Sequence, residues 1–379
     1  MVMTATRMSV SRVPKVRAVQ IAVTTTGSAG SATGNATSPI ITGQILGVYV
    51  NWHASAPAGT SDITVEGATT GLDLYAKANA VTDVYKVPSA YGLDAAATAL
   101  TSDVTPQRVC INEGVKVTVA QSDALTNCAI VTVVYRPLMA EQVAVTTTGE
   151  AGSAEGNADS AHIVGEILGL AINYHASTPA TADIVIKTKT ASVNLYAKDD
   201  TTTDAFAVPV IFGVSAANAG LSSDVTPQHY CIADKVNVAL AQGDALTAAV
   251  TVTIFYAPLQ AIRIPVTTTG AAGSASGSAT VAVEGEILGL FVTCHASLPA
   301  GTADITVSSA SGGHTIWARS NSATSVFVAP RIYGVSVADG ALSGNVTPEP
   351  YAEHGGVTVA VAQGDALTDA VIVDVFVRP

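Results

Sequence analysis

From Val115 the chain alternates apolar and polar residues, with Val115, Val117 and Val119 separated by Lys116 and Thr118. The pattern returns at Val236, Val238 and Leu240, and again at Val357, Val359 and Val361. A period of two places alternate side chains on opposite faces of a strand. Beyond Asp123-Ala124, Val131, Val133 and Tyr135 share one face, so the spacing predicts a C-terminal hairpin turning at the aspartate. Asp suits a turn start because its carboxylate accepts hydrogen bonds from backbone amides just ahead. No window of a dozen residues carries helical spacing. Val/Ile/Thr-rich runs bounded by Gly, Pro, Asn or Asp predict about seven to nine strands per copy of this pattern, the signature of a β-sandwich or jelly roll.

The copies are internal repeats. VTTTG starts at Val23, Val145 and Val266; His-Ala-Ser at His53, His175 and His295; Val-Thr-Pro at Val104, Val225 and Val346; AQxDALT at Ala120, Ala241 and Ala362. The closing prolines Pro137, Pro258 and Pro379 are 121 residues apart. That period is too long for a solenoid unit of ~20–50 residues and long enough for a domain with its own core. The expected organisation is all-β: a basic arm over 1–16, then three tandem β-sandwich or jelly-roll-like domains over 17–137, 138–258 and 259–379. Pro137-Leu138-Met139 and Pro258-Leu259-Gln260 leave almost no linker, so the domains should be held at short, fixed spacing.

Composition narrows the class. Hydrophobic residues make up 48% of the chain, but charged residues only 12%, about half the ~25% of ordinary soluble domains. A mean hydropathy of +0.41 excludes intrinsic disorder. Four cysteines in 379 residues exclude a disulfide scaffold. A net charge of −12 argues against nucleic-acid binding over the surface. The longest apolar runs, such as Ile45–Val50 and Ile167–Ile172, are strand-length, far below the ~18–20 residues of a membrane-spanning helix. Residues 1–16 are basic but lack the apolar stretch of a secretory signal, so the expectation is a soluble protein with neither membrane nor nucleic acid as a direct partner.

Few residues carry candidate chemistry. The loops Gly27–Gly34, Gly149–Gly156 and Gly270–Gly277 have the glycines of a phosphate cradle. They lack the following Lys and helix, so a tightly packed loop is expected. His53, His175 and His295 lie off the apolar face. They could share a metal only if the domains closed into a ring; hydrogen bonding to a neighbouring loop is the expected role. Cys110 and Cys231 are equivalent, with Ala352 in the third copy, and read as small buried hydrophobes. There is no nucleophile elbow, zinc-protease helix or C-x-x-C pair, and no enzyme activity, cofactor or metal is expected.

Two features suit binding. The triplets Tyr75-Ala76-Lys77, Tyr196-Ala197-Lys198 and Trp317-Ala318-Arg319 follow strand alternation, with Leu74, Leu195 and Ile316 on the core face. Tyr75, Tyr196 and Trp317 then share the outer face with Lys77, Lys198 and Arg319, as interface anchors or sugar-stacking rings, or else pack under a loop. The arm carries Arg7, Arg12 and Lys15 and no acid, and the first acidic residue is Asp62. Behind the arm, 14 basic and 29 acidic residues leave the body near −15 (14 − 29). Such an arm can lie along an acidic neighbour.

In its Thr/Ser/Ala/Gly-rich strands (AVTTTGSAGSATG, ILGVYVNWHASAPAGTSDITV), its V-x-V-A-Q-x-D-A-L-T segment and its basic arm, the sequence resembles the head decoration (cement) proteins of tailed bacteriophages. Those are small β-rich proteins, often trimeric, that sit on the capsid and clamp neighbouring shell subunits. The resemblance implies a virion structural protein on the capsid surface, with the major capsid protein or other virion proteins as partners and self-association open. Three equivalent domains on one chain mimic a homotrimer and match a threefold lattice position; most decoration proteins use three separate copies, so neck, collar and tail positions stay open. The alternative is a multivalent glycan- or receptor-binding adhesin using Tyr75, Tyr196 and Trp317.

Overall fold

The computed structural model describes residues 16–378 except 57–58, 80, 91–105, 214–216, 219–225, 300, 322, 333–334, 337–339 and 342–347. The described residues are all β, and their two-layer pattern occurs three times along the chain. In the first copy, one sheet runs Arg17–Val23, Ala129–Pro137, Ile41–Trp52, Val84–Lys86, with Cys110–Glu113 also paired to Ile41–Trp52. The facing sheet runs Ala32–Thr37, Val115–Ser122, Asp62–Gly67, Asp73–Lys77. All of these pairings are antiparallel. The second and third copies repeat the order, the third adding Arg331–Ile332 to its larger sheet.

The alternation explains the layers. Val117, Val119, Val131 and Val133 have no exposed surface and belong to one core cluster with Ile21, Val48, Val50 and Val65. Lys116 and Thr118, between the valines, stay half-exposed.

The expected C-terminal hairpin is corrected. Val115–Ser122 pairs with Ala32–Thr37 and Asp62–Gly67, whereas Ala129–Pro137 pairs with Arg17–Val23 and Ile41–Trp52. Both strands already have partners on both edges, and the chain between them crosses from one sheet to the other. The ladder to Ala32–Thr37 shifts register between Val119 and Ser122, where Gln121 adopts φ 51°. An irregularity of this kind bends a strand and re-aims the chain. The crossing segment is then tied to the opposite sheet: Thr25 Oγ1 donates to the Asp123 carbonyl at 2.6 Å and accepts from the Leu125 amide at 3.1 Å. Period-two spacing fixes which face is buried in each strand but is blind to which sheet the strand joins.

Candidate interaction surfaces

The polar residues that repeat with the fold act as internal clasps. Asp62, Asp183 and Asp304 accept from the amides of Asn79, Asp200 and Asn321 at 2.9–3.0 Å. All three of those amide donors have positive φ. The same carboxylates accept from the side chains of Gln121, Gln242 and Gln363, so the Gln of each AQxDALT segment holds its bulge in place. Asp123, Asp244 and Asp365 accept from the amides of Gly30, Gly152 and Gly273 at 2.8 Å in every copy. The glycine-rich loops are thereby docked on the sheet-crossing turns. Gly30, Gly152 and Gly273 have φ of 74–76°, a conformation that glycine adopts without strain. In each His-Ala-Ser, the His Nδ1 accepts from the Ser amide two residues on, at 3.1–3.2 Å. Glu113, Asp234 and Glu353, buried, accept from Thr70, Thr190, and Ser309 with Ser311, respectively. Among the described residues no three His, Cys, Asp or Glu side chains are placed to hold a metal ion.

The aromatic triplets are placed differently from the alternation. Tyr196 is 3% exposed and Trp317 0%, while Tyr75 is half-buried. Pairing with the neighbouring strand skips Leu74, Leu195 and Ile316: Val65 faces Tyr75 and Glu66 faces Asp73, with the same step at Ile186/Lys187 and Val307/Ser308. The bulge puts two consecutive residues on the core side, so the leucine or isoleucine and the following aromatic both point inward. Tyr196 and Trp317 therefore offer no outer face to a partner, which corrects the outer-face placement of these two rings. Trp317 Nε1 donates to Asn218 Oδ1 of the preceding repeat at 2.8 Å. Lys77 and Lys198 remain exposed, and the half-exposed Arg319 lies near the Thr324 carbonyl at 3.5 Å. Arg7, Arg12 and Lys15 lie outside the described residues.

The apolar surface between repeats was not anticipated from the strand pattern. It lies on the outer face of the larger sheet, where three rows of cross-strand neighbours match: Gln20–Thr132–Tyr49–Tyr85, Gln142–Thr253–Ala171–Phe206 and Arg263–Asp374–Phe291–Phe327. In each copy the edge-strand ring lies over a glycine. A Cβ on Gly47, Gly169 or Gly289 would collide with the side chain of Tyr85, Phe206 or Phe327. In the third repeat this face packs into the core cluster of the second, through Leu288, Phe291, Phe327 and Phe376. Tyr230 of the second repeat meets Phe327, ring centroids 5.3 Å apart. In the second repeat, Leu168 and Phe255 of the same face bury Cys110 of the first, whose Sγ lies 3.9 Å from the Leu168 carbonyl oxygen. Beside this junction, a cleft of about 520 Å³ opens between Thr69–Asp73 and Cys110–Glu113 on one side and Asn173, Asp204 and Phe206 on the other. Cys110 and Cys231 are each 1% exposed, and burial pushes both thiols far above their ordinary pKa. They are packing groups, as expected, and they sit at the receiving side of a junction. The irregular Cys–Cys–Ala series carries a signal of that role.

No family model and no curated protein matches the chain. Among solved structures, the major capsid protein P2 of bacteriophage PM2 is 8% identical, covering 63% of this chain and 96% of its own, with a TM-score of 0.18. The STIV MCP is 9% identical, covering 63% of this chain and 95% of its own, with a TM-score of 0.18. The VP2 subviral particle of infectious bursal disease virus is 9% identical over 98% of this chain and 83% of its own, with a TM-score of 0.16. Superpositions at this level establish neither a shared topology nor a shared role.

Proposed function

We propose that the chain is a non-enzymatic structural protein of a virion, seated on the capsid surface as a decoration protein that bridges shell subunits. The observation that carries this reading is the use of the repeated polar groups. The aspartates and buried carboxylates common to all three copies are engaged in holding loops to sheets, and the histidines close their own turns. What the repeats preserve is a scaffold, and what they vary is surface. Apolar junctions with almost no linker join successive copies, and closely spaced copies on one chain favour multivalent attachment to a lattice. A charged fraction of 12% is easier to sustain on a surface largely covered by neighbours. The partner is the major capsid protein or another virion protein, and the basic arm, with Arg7, Arg12 and Lys15, lies along an acidic patch of that neighbour. The adhesin reading loses its sugar-stacking ladder, because Tyr196 and Trp317 are buried.

The test is addition of purified protein to shells that lack it. Saturable binding at a fixed ratio to shell subunits, with a higher shell disruption temperature, is the expected result. Removal of residues 1–16 lowers occupancy. Absence of the protein from purified particles by mass spectrometry, together with no binding to shells, overturns the proposal.

A further inference from the structure

The two internal junctions use the same pair of surfaces, and the chain ends with one of each left over. On the side that delivers rings, the third repeat buries Leu288, Phe291, Phe327 and Phe376 to 7%, 2%, 4% and 0% exposure. The first repeat has Leu46, Tyr49, Tyr85 and Val134 at those positions. Tyr49 and Tyr85 are 47% and 48% exposed and lie against each other, centroids 5.1 Å apart, with Val87 beside them at 40%. On the receiving side, Cys110 and Cys231 are covered by the next repeat. Their counterpart Ala352 is exposed, and neighbouring Tyr351, the counterpart of Tyr230, stacks on His314 at 5.8 Å. Among the described residues no hydrogen bond, ion pair or core cluster joins the first repeat to the third, so the two unused surfaces do not cover each other within one chain.

We propose that these surfaces bind a second copy of this chain head to tail, with the Tyr49–Tyr85 face of one molecule seated on the Tyr351–Ala352 edge of the next. The occupant follows from continuity: an interface already made twice inside the chain is continued between chains. In that contact Tyr85 takes the place that Phe327 takes against Tyr230. Tyr85 is already oriented for it, since its Oη donates to the Leu46 carbonyl at 3.1 Å and holds the ring over Gly47. Tyrosine suits a surface that alternates between water and a partner, because its ring buries apolar area while its hydroxyl stays hydrogen-bonded. The partner edge is mixed in charge, with Glu286, paired to Arg378 at 3.4 Å, and His354 around Ala352, and the delivering face carries Arg136 two residues beyond Val134 with no acid on its strand. The contact is heterologous, so it builds rings or filaments rather than twofold dimers. The inference is independent of the virion assignment, since it concerns only how the chain meets itself.

Two blocked variants test it. Tyr85→Glu spoils the delivering face and Ala352→Arg the receiving edge. Both positions are surface sites, so thermal melts like those of the native protein are expected. In sedimentation velocity the unmodified protein should associate in steps of 38.1 kDa as concentration rises. Each variant alone should stay monomeric, and an equal mixture of the two should give dimers and nothing larger, because only one intact junction is left. Native protein that stays monomeric at millimolar concentration overturns the proposal, as does a mixture that forms no dimer. A Tyr85→Cys, Tyr351→Cys double variant separates the remaining case. Oxidative cross-links between chains are expected; cross-links confined to single chains would mean that the protein closes on itself, and the proposal fails.

Discussion

The outer sheet face of the third repeat and that of the first share a backbone and differ in surroundings. In the third, Phe291, Phe327 and Phe376 are buried against the second repeat; in the first, Tyr49 and Tyr85 at the same positions are exposed and Val134 is half-buried. The difference shows that the fold itself does not require a phenylalanine at any of these sites. Phenylalanine follows covering at two of them, where the covered second repeat has Phe206 and Phe255, but not at the Phe291 position, where it has Ala171. The largest expected effect follows directly. Phe376→Ala opens a cavity in a packed junction and should cost ~3–5 kcal/mol, whereas Val134→Ala at the uncovered counterpart should cost less than about 1. Denaturant midpoints of the two variants measure the gap. Equal losses at both positions would remove the distinction between covered and free faces.

A second contrast lies within the triplets. Trp317 has no exposed surface and its indole bonds Asn218 across the junction, while Tyr75 is half-buried. Trp317→Ala should cost ~3–5 kcal/mol and Tyr75→Ala about 1–2. Asn218→Ala should cost ~1, the net worth of one hydrogen bond. Intrinsic Trp fluorescence and denaturant unfolding together report which copy is affected.

These contrasts also mark what the sequence reveals. The repeat, the all-β class and the inward valines are legible because alternation is a local property of neighbouring residues. The burial of Tyr196 and Trp317 is not, since it depends on one skipped residue in a ladder formed with a strand ten residues away. The crossing at Asp123 is hidden for a similar reason: a turn between two valine runs looks the same whether it closes a hairpin or spans a sandwich. Among the candidate surface residues, the informative signal was difference between copies. Cys110 and Cys231 stand against Ala352, and Phe206 and Phe327 against Tyr85, so each series departs at an end copy.

The charged row of the third repeat gives a smaller effect. Arg263 Nε and Nη2 donate to the two carboxylate oxygens of Asp374 at 2.8 and 3.0 Å, where the second repeat has a Gln142–Thr253 bond at 3.2 Å and the first has Gln20 and Thr132. Asp374 is 2% exposed while the Arg263 side chain is 57% exposed. Arg263→Gln alone strands a buried carboxylate and should cost ~1–3 kcal/mol. The double change Arg263→Gln, Asp374→Thr restores the pair used by the other copies and should cost less than the single one. A double variant at least as unstable as Arg263→Gln would mean that the third repeat needs the ion pair itself.

The smallest expected effect separates the second repeat from its neighbours by pH. His229 occupies the position of Arg108 in the first repeat and Pro350 in the third. Its Nδ1 is enclosed, and burial lowers its pKa, with the Glu166 charge opposing that shift in part. In the unfolded chain the same imidazole titrates near ~6.5. As pH falls through that value the unfolded state takes up a proton that the folded state refuses, so folding stability falls with pH. Above pH ~7 both states are neutral at this site and the contribution is flat. In the first repeat the Arg108 guanidinium instead donates to the Leu46 carbonyl at 2.9 Å, and Pro350 of the third has no titratable side chain. Replacing His229 with Gln should therefore flatten the loss of denaturant midpoint between pH 7 and 5 relative to the unmodified protein. The change should appear in the transition that also responds to Phe255→Ala, a second-repeat marker. Parallel pH curves for the two proteins would show that His229 takes up its proton in the folded state as readily as in the unfolded one, and the enclosed nitrogen would then have to be reached by solvent.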